Sequence, residues 1–190
     1  MMSKIRCFCA VDISEDVKNV LKDIQSELKS TFDRVSWTKP HGLHITMKFL
    51  GDQEGSYIGE ISNALSKACV NFSKVEVDFS GIGFFPGSSR PRIIWAGINS
   101  GLKELMKLNN SIEDELAKLK IPRDKKRFHP HVTLGRIRSW DKESINYKKI
   151  ELNYKNISFG SIMVDKLCLI QSILKPKGAE YITLGTFDFN

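Results

Sequence analysis

The chain has 190 residues, of which 41% are hydrophobic and 27% charged, a balance typical of a globular protein with a buried core. No apolar run approaches the roughly 18 to 20 residues of a membrane-spanning helix, and no basic and apolar leader is visible, so we expect a cytoplasmic protein without membrane contact. The formal net charge of +7 favours a polyanionic partner, because Lys and Arg near phosphates release condensed counterions.

The first half of the chain alternates strand and helix patterns. Ser14, followed by two acidic residues, supplies a cap and an acidic first turn for a helix that continues to about Ser30. The predicted elements are, in chain order, a strand at 5–13, a helix at 14–30, strands at 34–38 and 43–51, a helix at 56–70, and strands at 75–86 and 92–98.

The order of a helix followed by strands then repeats. The predicted elements are a helix at 102–119, a strand at 129–137, a polar connector at 139–156, and strands at 162–174 and 181–189. Helices between runs of neighbouring strands favour an α+β fold, in which antiparallel sheets bury one face under helices and leave the other open. We therefore expect two comparable halves, with the functional site on the open face.

The cysteines lie among apolar neighbours. Cys7 and Cys9 stand two residues apart in a predicted strand, where the geometry disfavours a mutual disulfide. A C-x-C pair can begin a metal site, but no second Cys or His pair follows at a suitable spacing. We interpret all four as buried free thiols: Cys7, Cys9, Cys69 and Cys168.

The strand "GLHITMKFLG" at 42–51 carries a polar stripe. Because successive side chains of a strand alternate between its faces, His44, Thr46 and Lys48 are predicted on the open face. The apolar members are predicted on the core face: Leu43, Ile45, Met47 and Phe49.

A second copy of this pattern lies in "HPHVTLGR" at 129–136. There, His131 and Thr133 point to the open face, while Val132 and Leu134 point inward. A single H-x-T is weak, since a strand histidine is more often an ordinary surface or core residue. Two copies in matching contexts, in a chain with four histidines, predict a pair that converges in one cleft.

Two imidazole rings suit proton transfer at both ends of a displacement. With a reference pKa of about 6.5, one ring accepts a proton while the other donates one near neutral pH. Phosphodiester hydrolysis fits this pair, because one ring activates water and the other protonates the departing oxygen. Hydroxyl and guanidinium groups would hold the non-bridging oxygens, and Thr46, Thr133 and Arg136 are candidates for that role.

The paired segments "HITMKFLG" and "HVTLGR" resemble the motifs of the two-histidine (2H) phosphoesterase superfamily. Within it, the chain is similar to the RNA 2′,3′-cyclic phosphodiesterase family, historically called 2′-5′ RNA ligases. The segments that carry this likeness cover nearly the whole chain: "RCFCAVDI", "FPGSSRPRIIWAG", "PHVTLGR" and "GAEYITLGTF".

This resemblance implies a single bilobal domain over 1–190, with two pseudo-symmetric halves that are not independent domains. Two antiparallel sheets would face a central cleft, with helices on the outer faces. The implied reaction is hydrolysis of RNA 2′,3′-cyclic phosphate ends to 2′-phosphates without a metal or other cofactor. Independently of the resemblance, nothing in the sequence suggests more than a monomer or a required protein partner. The tRNA halves are one candidate substrate, and some relatives also join RNA ends through a 2′-5′ linkage.

Carried over by position, His44 would be the acid that serves the 3′ oxygen and His131 the base that activates water. Thr46 and Thr133 would bind the phosphate, with Arg136 close to it. The two histidine roles stay open at this point, because ligation reverses them by microscopic reversibility.

Arg136 departs from the pattern. Strict alternation from His131 puts it on the core face with Val132 and Leu134. A bulge at Gly135, or the end of the strand, would redirect it toward the phosphate. Otherwise Arg136 is a structural or rim residue.

Further candidate RNA contacts lie outside the motifs. Phe8 is opposite in parity to Cys7 and Cys9, and is either a platform for the terminal base or a core aromatic residue. The run "KLKIPRDKKRF" at 118–128 is either a positive rim for an RNA strand or a solvated helix end. From these loops we take as candidate RNA contacts Arg90, Arg92, Lys125, Lys126 and Arg127.

Alternatives to the hydrolase remain. His129 and His131, with His41 or His44, could be zinc ligands, but no carboxylate or cysteine accompanies them and the repeated threonine is then unexplained. A catalytically idle RNA- or nucleotide-binding module is a second alternative, although both motif copies are intact. The third is the same chemistry on a small cyclic nucleotide.

Overall fold

The computed structural model describes residues 4–139, 145–176 and 178–190. Strands and helices alternate in runs along them. In chain order they are β1 (Lys4–Asp12), α1 (Glu15–Leu28), β2 (Val35–Trp37), β3 (His44–Glu54), α2 (Ile58–Cys69), β4 (Val75–Phe85), β5 (Ile93–Ile98), α3 (Leu102–Lys118), β6 (Val132–Ile137), α4 (Tyr147–Tyr154), β7 (Ser158–Val164), β8 (Lys166–Lys175) and β9 (Gly178–Asp188).

The α1 helix begins where the sequence predicted. The Ser14 hydroxyl accepts a hydrogen bond from the Val17 backbone N–H at 3.3 Å, and thereby satisfies one of the free donors of the first turn. Glu15 and Asp16 follow in that turn, where their charges suit the positive end of the helix dipole. Neither α1 nor any other described helix is long and apolar enough to cross a membrane.

The strands form one curled antiparallel sheet in the order β7-β4-β5-β6-β3-β1-β8-β9, with β2 paired to β6. The α+β fold with antiparallel strands is confirmed. The two predicted sheets are the two halves of this path, β7-β4-β5-β6 and β3-β1-β8-β9. The two halves join between β3 and β6, where Ile45 pairs with Val132.

One predicted strand is wrong. The segment 162–174 is divided at Asp165, so that its residues belong to β7 and β8. β7 pairs with β4 in one half of the sheet, and β8 pairs with β1 in the other. The half β3-β1-β8-β9 therefore takes strands from both ends of the chain, whereas the strands of β7-β4-β5-β6 come from its middle. The apolar pattern continues on both sides of Asp165, and it contains no information about which strand each piece will pair with.

The predicted polar connector at 139–156 contains a helix, α4. Asn146 caps it, since its side-chain oxygen accepts from the Lys149 backbone N–H at 2.9 Å. Tyr147, Ile150 and Tyr154 pack against the core from one side of this short helix. Their spacing of three and four residues was the available signal. Residues 140–144 of the predicted connector lie outside the described part of the chain.

All four cysteines are buried free thiols, as predicted. Burial raises the pKa of the Cys7 thiol to about 11 and that of Cys69 to about 12, so neither thiol is ionised near neutral pH. The core lies between the sheet and the helices, and its fully buried side chains include Leu21, Ile61, Leu65, Phe79, Leu105 and Leu108.

Candidate active site

The two motif strands, β3 and β6, meet where the halves of the sheet join. Ile45 and Val132 face each other there, and both are completely buried. Each is the central residue of its H-x-T sequence. The flanking histidines and threonines must therefore point to the opposite face of the sheet.

The register brings the two motifs together. In an antiparallel alignment centred on the Ile45 pair, His44 lies across from Thr133, and Thr46 lies across from His131. These four side chains are only half-buried, in contrast to the residues between them. The sequence analysis therefore predicted the face of these four side chains correctly, and all four lie where β3 and β6 meet.

Aromatic rings enclose His44. The Phe8 ring stacks on the imidazole with centroids 4.9 Å apart, and the Tyr181 ring approaches it edge-on at 5.6 Å. Phe8 is only 3% exposed, so its ring supports His44 and presents no open face for a base. Of the two interpretations of Phe8, the structure therefore favours packing over stacking on the terminal base.

This enclosure changes the protonation of His44. Burial lowers its pKa to about 4, an effect that the Asp12 carboxylate opposes and that Lys18 and His131 reinforce. Asp12 is the residue paired with His44 across β1 and β3. In the free site, His44 is therefore neutral near pH 7.

His131 is oriented by the backbone of the segment that precedes β6. Its Nδ1 lies 2.6 Å from the His129 carbonyl oxygen. A carbonyl only accepts hydrogen bonds, so a neutral ring held in this way carries its proton on Nδ1 and leaves the Nε2 lone pair free. Burial lowers the pKa of His131, the His129 carbonyl raises it, and the charges of His129 and Arg136 lower it.

A second aromatic pair encloses His131. The Phe85 ring meets it edge-on at 5.0 Å and stacks on Trp95 at 5.1 Å. Trp95 lies over Gly83, where an added Cβ would come within 2.1 Å of the indole. Sequence reasoning missed Phe85, Trp95 and the Tyr181 ring beside His44. These residues lie in the segments "FPGSSRPRIIWAG" and "GAEYITLGTF", which carry the family resemblance, and that position was the signal that could have identified them.

Arg136 is turned away from the core by a bulge. The register of β6 against β5 skips Leu134, so strict alternation ends there. Gly135 is needed at this point, because an added Cβ would come within 2.6 Å of a Val35 methyl group. Arg136 is exposed, and its charge contributes to the lowered pKa of His131. A bulge is therefore present, at Leu134, one residue before the Gly135 position considered in the sequence analysis.

A bulge in β3 makes the prediction for Lys48 and Phe49 wrong. The register of β3 against β1 skips Met47, so the alternation reverses after Thr46. Lys48 is only 2% exposed, whereas Phe49 is 63% exposed. The Lys48 Nζ donates to the two carboxylate oxygens of Glu113, at 2.7 and 2.8 Å.

The other candidate RNA contacts are exposed on two loops. Arg90 and Arg92 lie between β4 and β5, and Lys125, Lys126 and Arg127 lie between α3 and β6. They stay predicted RNA contacts.

The zinc hypothesis requires several ligand side chains close together. No group of three or more His, Cys, Asp or Glu side chains among the described residues could bind a metal ion. His129 and His131 have ring centroids 6.3 Å apart. The zinc hypothesis therefore has no ligand set in this part of the chain.

The fold and the facing H-x-T strands define a two-histidine phosphoesterase. Residues 13–174 match the model of the 2′-5′ RNA ligase superfamily, and the chain belongs to that family. The family assignment made from the motifs is thereby confirmed.

Two curated relatives carry the name RNA 2′,3′-cyclic phosphodiesterase. The protein of Archaeoglobus fulgidus is 36% identical over 97% of this chain and 100% of the relative. The protein of Aquifex aeolicus is 30% identical over 98% of each chain.

Solved structures share the fold. TT0787 of Thermus thermophilus aligns with a TM-score of 0.82 and 25% identity, over 97% of this chain and 98% of that one. The E. coli LigT complex with 3′-AMP aligns with a TM-score of 0.79 and 18% identity, over 99% of both chains.

Proposed function

We propose that this enzyme hydrolyses the 2′,3′-cyclic phosphate at the end of an RNA and leaves a 2′-phosphate and a 3′-hydroxyl. The observation that carries the proposal is the register at Ile45 and Val132, which sets each histidine across from the threonine of the other motif. Family membership and the names of the relatives support the same reaction.

In this mechanism His131 is the general base. Its Nδ1 is committed to the His129 carbonyl, so its Nε2 is the atom that accepts a proton. A water molecule attacks the phosphorus, and its proton passes to that nitrogen. The lowered pKa of His131 keeps the ring neutral, and therefore able to act as a base, near pH 7.

His44 is the general acid. As the bond between phosphorus and the 3′ oxygen breaks, His44 gives its proton to that oxygen. A ring with a pKa of about 4 is almost entirely neutral at pH 7. The negative charge of the bound phosphate must therefore raise the pKa of His44 before it can donate, because an anion nearby favours the imidazolium.

Thr46, Thr133 and Arg136 hold the phosphate. The hydroxyls of the two threonines lie on the same face as the rings and would donate to the non-bridging oxygens. Arg136 lies close enough to affect the pKa of His131, and its charge would balance the charge that develops in the transition state. No step of this mechanism uses a metal.

The test is incubation of a short RNA that ends in a 2′,3′-cyclic phosphate with the protein in EDTA. We expect a 2′-phosphate product, identified by mass and by comparison with authentic 2′- and 3′-phosphate standards. A 3′-phosphate would contradict the assignment of the leaving oxygen. Turnover only after a metal is added would contradict metal independence, and binding without turnover would favour the idle binding module.

The histidine roles are tested by substitution. His44→Ala and His131→Ala should each reduce turnover by roughly 10²- to 10⁴-fold, the usual range for general acid or base catalysis. His41→Ala is the matched control, because His41 is an exposed residue of the turn before β3. Full activity in either catalytic variant would overturn the two-ring mechanism.

A further inference from the structure

A groove lies beside the exposed ring of Phe49. It has a volume of about 440 Å³ and is lined by Phe49 and Tyr57 on one side and by residues 119–125, after α3, on the other. We call it the Phe49 groove. Neither Phe49 nor the groove has a role in the mechanism above.

The exposed ring of Phe49 lies near the active site, because the buried Phe8 ring contacts both Phe49 and His44. The Phe49 ring lies 5.9 Å from the Phe8 ring, which in turn stacks on His44 at 4.9 Å. Phe8 and Phe49 are also partners across β1 and β3. The bulge at Met47 turns Phe49 out of the core, so an open aromatic face lies along the same strand as the catalytic residues.

The far wall of the groove is fixed in place. The buried Lys48 Nζ donates to Glu113 of α3 and, at 3.0 Å, to the Pro122 carbonyl. The Tyr57 hydroxyl donates to the Leu119 carbonyl at 2.7 Å. These bonds hold the loop after α3 against β3, directly beside Phe49.

The charges on this wall favour an anion. Arg123 pairs with Asp114, and Asp124 lies 3.5 Å from the Lys48 ammonium. Lys120 and Lys125 are exposed and form no ion pair with any residue in the described ranges. An open aromatic face beside free ammonium groups is the combination that binds single-stranded nucleic acid.

We propose that the Phe49 groove binds the RNA upstream of its terminal nucleotide, with a base stacked on Phe49 and backbone phosphates near Lys120 and Lys125. This inference rests on the proposed function for the position of the RNA end. Because the cyclic phosphate is at the 3′ end, every other nucleotide must leave the active site in the 5′ direction. The enzyme then prefers oligonucleotides to cyclic mononucleotides.

Binding of an RNA that cannot react tests the groove. The probe is a 5′-labelled single-stranded RNA octamer with a 3′-hydroxyl, followed by fluorescence anisotropy. Phe49→Ala should raise its Kd about fivefold or more, since a base stacked on an aromatic ring contributes about 1–3 kcal/mol. Phe49→Trp should restore binding. Met163→Ala is the matched control, because Met163 is 59% exposed on β7, at the far edge of the sheet.

A second variant tests the charges. Lys125→Ala should make the slope of log K against log[salt] less steep by about 0.7, the value for one phosphate contact with a single strand. Lys148→Ala, which removes an exposed lysine of α4, is the control and should not change the slope.

The outcomes separate this inference from the proposed function. An unchanged octamer Kd in Phe49→Ala overturns the proposal that the groove binds RNA. The exposed ring would then be explained by contact with another protein. An equal loss of affinity for the octamer and for 2′,3′-cyclic AMP also overturns it, because Phe49 would then act through Phe8 on the active site. Octamer binding that depends on Phe49 in a protein without hydrolase activity supports the groove and rejects only the proposed reaction.

Discussion

His44 shows how neighbouring side chains control the protonation of the proposed general acid. The H-x-T pattern predicted its face and that of His131, because strand alternation is a local property. Phe8, Tyr181 and Phe85, which enclose the two rings, come from three other strands. Their proximity depends on strand order, which a local pattern does not contain.

The titration of His44 is the first residue-level prediction. In the free protein its ring should titrate near pH 4, well below the reference value of about 6.5, because burial disfavours the charged form. Saturating 2′-AMP, whose phosphate is dianionic near neutrality, should raise that pKa. NMR of the ring signals measures both states, and a pKa that is the same with and without the nucleotide would contradict the proposed acid role.

A pH dependence of stability follows from the same ring. The pKa of His44 is lower in the folded protein than in the unfolded chain, so the folded state binds fewer protons between about pH 6.5 and 4. The stability that His44 contributes is fully present above pH 6.5. It is lost as the pH falls through the pKa of His44 in the folded protein, about 4. Urea unfolding at pH 7 and pH 4.5 should show a smaller loss of stability in His44→Gln than in the wild type. The remaining loss includes the contribution of His131, whose pKa is also lowered. An equal loss in both proteins would contradict the prediction.

At the scale of the element, a β-bulge explains why some strand side chains lie on the opposite face from the one predicted. Helices α1, α2 and α3 were predicted, because three-and-four spacing and the Ser14 cap are signals that lie within a few residues, whereas the short α4 was missed. The bulge at Met47 has no comparable signal, and it moves Lys48 into the core. A buried lysine then needs a carboxylate from a distant helix, which Glu113 supplies.

Lys48→Met should destabilise the protein by about 3–5 kcal/mol, because it leaves the Glu113 carboxylate buried without its partner. Denaturant unfolding measures this change. The exposed pair of Lys118 with Glu115 is the matched control, and Lys118→Met should change the free energy of unfolding by less than about 1 kcal/mol. The double variant Lys48→Met/Glu113→Met should be more stable than the single variant. A Lys48→Met protein as stable as the control would contradict the importance of this pair.

At the scale of the whole molecule, the net charge of +7 gives a prediction about salt. On the proposed function, positive groups around the groove and on the two basic loops would attract the RNA backbone, and each phosphate contact would add about 0.7 to the magnitude of the salt slope. Raising the salt concentration should therefore reduce kcat/KM for an octameric cyclic phosphate more steeply than for 2′,3′-cyclic AMP. Steady-state kinetics over a salt series tests this, and equal slopes for both substrates would contradict it.

The pairing of early strands with late strands also affects how the protein folds during its synthesis. β1 pairs with β8, and β4 pairs with β7, so neither half of the sheet is complete until the chain has reached about the last 30 residues. Contacts between residues so far apart in sequence are slow to form, because a long loop must close first. A chain emerging from the ribosome therefore carries both histidines well before it can hold either of them in place. Catalytic competence should therefore arise only near the end of synthesis, when β8 and β9 complete the half of the sheet that holds His44.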